Sequence, residues 1–221
     1  MSEAGEDASL SAASRVRFDA ARELIAKHAR GRVLDVGCGR MPFRDDILAT
    51  GARYESLDLE ARVPGVDHLG DVQDLRAIAT ATYDTVTCFE VLEHVPHPDR
   101  AAGELARILA PGGSLLVTVP HLSRLHELPH DYYRFTGYGL RALATQAGLD
   151  VVDVRAHGGL ASFLGHQAST MLLGLTWGIP GVHRAARALN RAALIRPLVQ
   201  LDQLDRSGLF ALGFSLVATK P

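Results

Sequence analysis

Three side chains able to grip a cation crowd into one short stretch, FEVLEHVP, from Phe89 to Pro96. Glu90, Glu93 and His94 are three and four residues apart, so on a helical turn they project from one side. Two carboxylates and an imidazole gathered in this way make a candidate divalent-cation site. A candidate fourth ligand, His130, stands farther along in PHDYYRFT. Between them lie His121 and His126, either of which could accept a proton from a reacting group.

Such a cluster needs a rigid edge to sit on, and the flanking residues supply one. Tyr83 to Phe89 reads as a strand that ends just before Glu90, and HPDRAAGELARILAPGGSLLVTVP reads as helix, Pro-Gly-Gly turn and strand ending just before His121. Upstream, VLDVGCG from Val33 to Gly39 reads as a buried strand breaking into a glycine-rich turn. Glycine there lets the backbone turn sharply and lets a ligand approach. A dinucleotide site wants a third glycine to close a helix on a pyrophosphate, but the run continues Arg40, Met41, Pro42. Asp35, at the strand end, suits a cationic ligand better than a diphosphate. Asp58 follows Asp35 by 23 residues at the end of ARYESLDLE, where nucleotide-binding α/β folds place a carboxylate for ribose hydroxyls.

The run hydrophobic, hydrophobic, Asp, hydrophobic, Gly, x, Gly resembles the first motif of class I S-adenosylmethionine-dependent methyltransferases. The resemblance covers about residues 31–157 and the last strand. It implies a Rossmann-like α/β fold with S-adenosylmethionine as cofactor. Asp35, Gly37 and Gly39 would line its amino-acid end, Asp58 its ribose, and Asp71 and Val72 its adenine ring, with Phe89 a further cofactor-binding residue. The Glu-x-x-Glu-His run with a later His is similar to the cation-dependent O-methyltransferases of ubiquinone biosynthesis and the small-RNA 2′-O-methyltransferases. That likeness implies a metal set of Glu90, Glu93, His94 and His130, holding Mg2+ or Mn2+, and an acceptor with two adjacent hydroxyls. Four protein ligands leave about two octahedral positions for those oxygens. His121 or His126 would then be the catalytic base.

The expected architecture is a seven-stranded, mostly parallel sheet with helices on both faces. Helices are expected at residues 14–30, 42–50 and 136–147, and strands at 66–70, 149–157 and 209–219. The chain has 221 residues, enough for one α/β domain, expected over 14–221 after a flexible acidic tail at 1–13. A net charge of −2 disfavours nucleic acid as partner. A saccharide or other small polyhydroxyl acceptor fits that neutral balance. Two cysteines form no disulfide framework, and the first residues lack a basic and an apolar region, so the expected compartment is the cytoplasm. An insert at about 158–207 precedes the last strand, and residues 156–183 carry no Asp, Glu, Lys or Arg. Pro180 and scattered polar residues argue against a membrane span there. The insert is expected to form an apolar helix pair that covers the substrate cleft or makes a homodimer interface, followed by a basic and apolar helical run from Val182. Two further readings stay open: a metal-independent N- or C-methyltransferase, and a noncatalytic methyltransferase-like partner subunit. A nicotinamide dehydrogenase is disfavoured by Pro42.

Overall fold

Near-continuous apolar runs, rather than strict alternation, mark strands that are covered on both faces. The computed structural model describes residues 11–190, 196–202, 205 and 207–221. Seven strands, β1 (Arg32–Val36), β2 (Arg53–Asp58), β3 (His68–Leu69), β4 (Tyr83–Phe89), β5 (Leu109–Pro120), β6 (Asp150–His157) and β7 (Gly213–Thr219), form one sheet in the order β3-β2-β1-β4-β5-β7-β6. All neighbours are parallel except β7, which runs antiparallel between β5 and β6. The helices are α1 (Ala12–His28), α2 (Arg44–Ala49), α3 (Pro98–Ile108), α4 (Gly137–Gln146), α5 (Leu160–Leu175), α6 (Pro180–Leu189) and α7 (Arg196–Leu201).

Successive strand residues face opposite sides. Val33, Leu116 and Val217 meet Leu24 and Ile25 of α1, with Ile47 of α2, on one face. Leu34, Leu115 and Val117 meet Leu105 and Ile108 of α3, and Leu140 of α4, on the other. This is the expected architecture, with helices on both faces and a helical insert before the last strand. Strand order reverses between β1 and β4, and a crevice outside the carboxyl ends of such strands is where α/β sheets bind ligands. Both the glycine turn and the Glu90–His94 stretch emerge there.

Several boundaries differ from expectation. Helix α1 begins at Ala12, because the Ser11 hydroxyl accepts the Ser14 N–H at 3.0 Å and Ala12 and Ala13 are buried against Leu212. Residues 11–13 are therefore helix and its cap, while residues 1–10 of the expected tail lie outside the described residues. Helix α2 is shorter than 42–50, its start delayed by Met41 at φ 56°. Strand β3 has only two residues, and β7 starts at Gly213 rather than Leu209. The expected turn at Pro111–Gly113 is a bulge inside β5, where pairing jumps from Tyr83 with Leu109 to Thr85 with Ser114. The described part of the insert holds the helices α5, α6 and α7. Residues 191–195, 203, 204 and 206 of its basic and apolar run lie outside the described residues. No helix among the described residues is long and apolar enough to cross a membrane.

Candidate functional site

The glycine turn is fixed to the end of β2. Gly37 N–H and Cys38 N–H both donate to the Leu57 carbonyl, at 2.8 and 3.1 Å, and Gly39 N–H donates to Asp58 Oδ2 at 2.7 Å. Gly37 has φ +69°, and a Cβ there would fall 2.3 Å from Val91 Cγ2, so the turn lies directly against the loop that carries Glu90 and Glu93. Gly39 faces open space. Asp35 is buried beneath the turn, its carboxylate accepting from the Thr87 hydroxyl at 2.7 Å and the Tyr54 hydroxyl at 3.1 Å. Burial, with the neighbouring Asp58 carboxylate adding to it, nevertheless raises its pKa from 3.8 to about 6. The turn thus gathers negative charge that no protein cation balances among the described residues, the environment a cationic ligand would relieve.

Asp71 is exposed and closes a tight turn by accepting from Gln73, with Val72 buried behind it. Phe89 belongs to the core: it is buried, and its ring stands edge-on to Phe43 at 5.2 Å. The alternation of β4 turns its side chain toward α2, where it packs, and not toward the crevice in which a cofactor-binding residue is expected.

Beyond β4 the chain forms a single 3-10 turn, Leu92–His94, that buries Glu93 completely. The segment after β5 folds back over it. Tyr132 N–H and Tyr133 N–H both donate to the Glu93 carbonyl, at 2.8 and 3.2 Å, and the Tyr133 hydroxyl donates to the Pro96 carbonyl. This brings one ligand atom each of Glu93, His94 and His126 within 4.8 Å of one another. Glu93 Oε1 lies 3.6 Å from His94 Nε2 and 3.8 Å from His126 Nε2, beyond hydrogen-bond range, and neither carboxylate oxygen has a hydrogen-bond partner. His94 Nδ1 is bonded to the His130 carbonyl at 2.6 Å, which leaves Nε2 with its lone pair free. His126 Nδ1 faces the Asp131 carboxylate at 3.5 Å, and Arg134 grips Asp131 through two nitrogens at 2.5 and 2.7 Å. Arg134 holds the Asp131 pKa down to about 2, and the Glu93 carboxylate raises that of His126.

The side chains that could hold an ion are therefore Glu93, His94 and His126, without the expected Glu90 and His130. Glu90 stands at the end of β4 with φ 56°, and its carboxylate is paired to the buried Arg17 of α1. Burial raises the Glu90 pKa against the pull of Arg17. The His130 ring bonds the Tyr132 hydroxyl at 3.0 Å, so only its backbone carbonyl serves the cluster. His126, expected as a proton acceptor, takes the place expected for His130. His121, the other expected base, packs edge-on to Phe214 at 5.3 Å, and burial lowers its pKa. Arg17 carried no sequence signal, since an arginine inside a helical run reads as solvated. Asp131 and Arg134 carried a faint one, being three apart beside His130.

A family model described as "Methyltransferase domain" matches residues 13–154. A ubiquinone biosynthesis O-methyltransferase of Xanthomonas oryzae pv. oryzae (strain PXO99A) is 38% identical over 114 residues, 46% of this chain and 46% of that protein. One of the same name from Burkholderia pseudomallei (strain 1710b) is 30% identical over 154 residues, 56% of this chain and 66% of that one. The chain thus spans about half the length of the first of these relatives. Among solved structures, a SAM-dependent methyltransferase from Archaeoglobus fulgidus aligns with TM-score 0.60 at 16% identity, covering 94% of each chain. A 1,6-didemethyltoxoflavin-N1-methyltransferase from Burkholderia thailandensis aligns with TM-score 0.59 at 17% identity, covering 92% of this chain and 78% of that one.

Proposed function

The chain belongs to the methyltransferase domain family, and on that premise we propose that it transfers the methyl group of S-adenosylmethionine to a hydroxyl oxygen, assisted by a divalent cation at Glu93, His94 and His126. The observation that carries this reading is Glu93, a fully buried carboxylate with both oxygens unpartnered, faced by the Nε2 atoms of two imidazoles. A buried ionised carboxylate in that state is costly unless a cation joins it. Two imidazoles and a carboxylate, each imidazole with its Nδ1 facing an oxygen, suit Mn2+, Fe2+ or Zn2+ as donors, and Mg2+ less well.

A bound cation would lower the pKa of a coordinated hydroxyl, so that a poor nucleophile ionises near neutral pH. The remaining work falls to side chains. The Arg124 carbonyl, 3.3 Å from Nδ1, orients the His126 ring, Asp131, fixed by Arg134, accepts the His126 backbone N–H at 2.9 Å, and the His130 carbonyl fixes the ring of His94. Asp35 sets negative charge at the glycine turn where a sulfonium and an ammonium would lie, and Asp58, whose Oδ2 holds Gly39 in place, is assigned the ribose hydroxyls. Asp71 and Val72 are assigned the adenine edge. Val91, against Gly37, couples the cofactor turn to the cluster, so that much of the rate gain comes from positioning.

The acceptor proposed is a small molecule with two adjacent hydroxyls. Saccharides are one class to test, and aromatic vicinal diols are the other. The setting proposed is cytoplasmic, with the apolar insert as a homodimer interface and no nucleic-acid partner. One observation favours a second, cation-free reading: the raised His126 pKa beside Glu93 would suit an acid-base pair. Transfer of labelled methyl to a panel of diols, with and without EDTA, separates the two. The cation reading expects EDTA to abolish transfer, and Glu93→Gln and His126→Ala to lose both transfer and Mn2+ binding by calorimetry while keeping S-adenosylhomocysteine affinity. Transfer that survives both EDTA and Glu93→Gln refutes it.

A further inference from the structure

Helix α5 is turned inside out. Its buried positions are Ser162, Gly165, His166 and Ser169, whereas Leu160, Leu164, Met171 and Leu175 are exposed. A helix docked on a dry core buries the opposite stripe. Exposure is concentrated where α5 turns into α6: Leu175, Trp177, Ile179 and Val182 are 80, 75, 54 and 50% exposed, all within eight residues. The turn that carries them is ordered by its own bonds. Thr176 N–H donates to the Leu172 carbonyl at 3.2 Å, the Thr176 hydroxyl is bonded to His183 Nδ1 at 3.1 Å, and the Trp177 ring stands edge-on to that of His183 at 5.4 Å. Four apolar side chains are therefore held in water at one tip, a state that marks an interaction surface.

The charge of the surrounding sequence selects what covers that tip. Residues 156–201 hold four arginines, Arg184, Arg187, Arg191 and Arg196, and no Asp or Glu, in a chain whose net charge is −2. On α6, Arg184 is exposed, and Val182 and Leu189 are exposed seven residues apart, two turns along one face. We propose that the tip between α5 and α6 docks on an anionic lipid bilayer, with Leu175, Trp177, Ile179 and Val182 entering the boundary between headgroups and acyl chains and Arg184 lying among the lipid phosphates. An apolar wedge that carries a tryptophan and is followed by arginines has the composition of an interfacial segment. Without a single acid over the whole stretch, it matches a face that is negative throughout, and the apolar side chains match the acyl layer beneath. The docking is peripheral, since no helix among the described residues is long and apolar enough to cross a membrane. It does not depend on the methyl-transfer reading, and it leaves Leu160 and Leu164, at the other end of α5, to a second copy of the chain.

Trp177 is the single tryptophan of the chain, so its fluorescence reports on the tip without a label. The full chain is titrated with vesicles of phosphatidylcholine mixed with phosphatidylglycerol, with vesicles of phosphatidylcholine alone, and with mixed vesicles whose acyl chains are brominated. The expected result is a shift of Trp177 emission to shorter wavelength on mixed vesicles, quenching by the brominated chains, and partitioning roughly fivefold or more weaker onto neutral vesicles. Arg184→Gln should weaken partitioning onto mixed vesicles roughly fivefold, and Leu175→Glu, which removes apolar area and adds a repelled charge, roughly tenfold or more. Both positions are exposed, so both variants should keep the wild-type circular dichroism. Emission unmoved by either kind of vesicle, or equal partitioning onto both, overturns the proposal. A dimer in analytical ultracentrifugation that Leu175→Glu splits, with Trp177 emission already shifted before lipid is added, overturns it as well, because a second copy then occupies the tip. Should Leu175→Glu fail to fold, Arg184→Gln and the quenching of the wild type by brominated chains decide.

Discussion

Replacing Asp35 by Asn should make the ligand-free protein more stable and a poorer binder of its cofactor. In the fold the Asp35 pKa is raised from 3.8 to about 6. With each pH unit worth about 1.4 kcal/mol, ionised Asp35 costs about 3 kcal/mol above pH 6. Asparagine keeps the shape: its carbonyl can accept from Thr87, and its amide can donate to the Tyr54 oxygen. One amide hydrogen is left without an acceptor, which takes back about 1 kcal/mol. The net gain of about 2 kcal/mol corresponds to a melting temperature raised by roughly 4–8 °C. The sign follows from an acid whose folded pKa is raised. Wild-type stability from this group is full below pH 3.8 and is lost as pH rises through about 6, so the variant's advantage grows over that window and is flat above it. Urea unfolding of both proteins from pH 4 to pH 8 measures the gap, and calorimetry measures cofactor affinity. Affinity for S-adenosylmethionine should fall by roughly tenfold or more, and by less for S-adenosylhomocysteine, which lacks the sulfonium charge. Parallel stability curves, or unchanged affinity for both ligands, would refute the reasoning.

Gly37→Ala forces a side chain against Val91 Cγ2 at 2.3 Å in a left-handed backbone, so it should cost about 2 kcal/mol or more in thermal unfolding and weaken cofactor binding in calorimetry. Arg17→Met leaves the half-buried Glu90 without its partner and should destabilise by about 1–3 kcal/mol at pH 8, with the loss shrinking as Glu90 is protonated at lower pH; an equal loss at every pH would contradict the ion-pair account. Glu55, bonded by Arg32, His68 and Tyr83, has its pKa lowered from 4.5 to about 2. Its stabilisation is present above pH 4.5 and lost as pH falls toward 2, so Glu55→Gln should cost about 1–2 kcal/mol at pH 7, after allowance for solvent screening, and nothing near pH 2 in acid titrations followed by circular dichroism.

What could be read from the residues, and what could not, divides by the range of the forces involved. Strands β1 and β4 were legible because both faces are dry, so Val33, Leu34, Val36, Val86 and Cys88 write an apolar run into the local sequence. Glu93 and His94 were legible because adjacent residues on one turn need no distant partner to share a site. Which later histidine joins them was not legible. The choice of His126 over His130 depends on Tyr132 and Tyr133 donating to the Glu93 carbonyl, bonds that span nearly forty positions and leave no periodic trace. Arg17 was missed for the same reason, its partner being 73 residues away. The orientation of α5 was hidden differently. Its inward stripe is Ser, Gly and His, neutral side chains that contrast weakly with the leucines around them, so composition showed an apolar helix and not which side it buries.

Those blind spots share a physical cause that bears on function. A stretch is legible when it is stable by itself, with apolar faces dry and polar atoms paired locally. Asp35 and Glu93 are each buried without a compensating charge, one beneath the glycine turn and one on the 3-10 turn. A positive ligand would relieve the first and a metal cation the second. A cationic cofactor and a divalent ion bound together would supply both, which is why the two deficits read more simply as one site than as two accidents of packing.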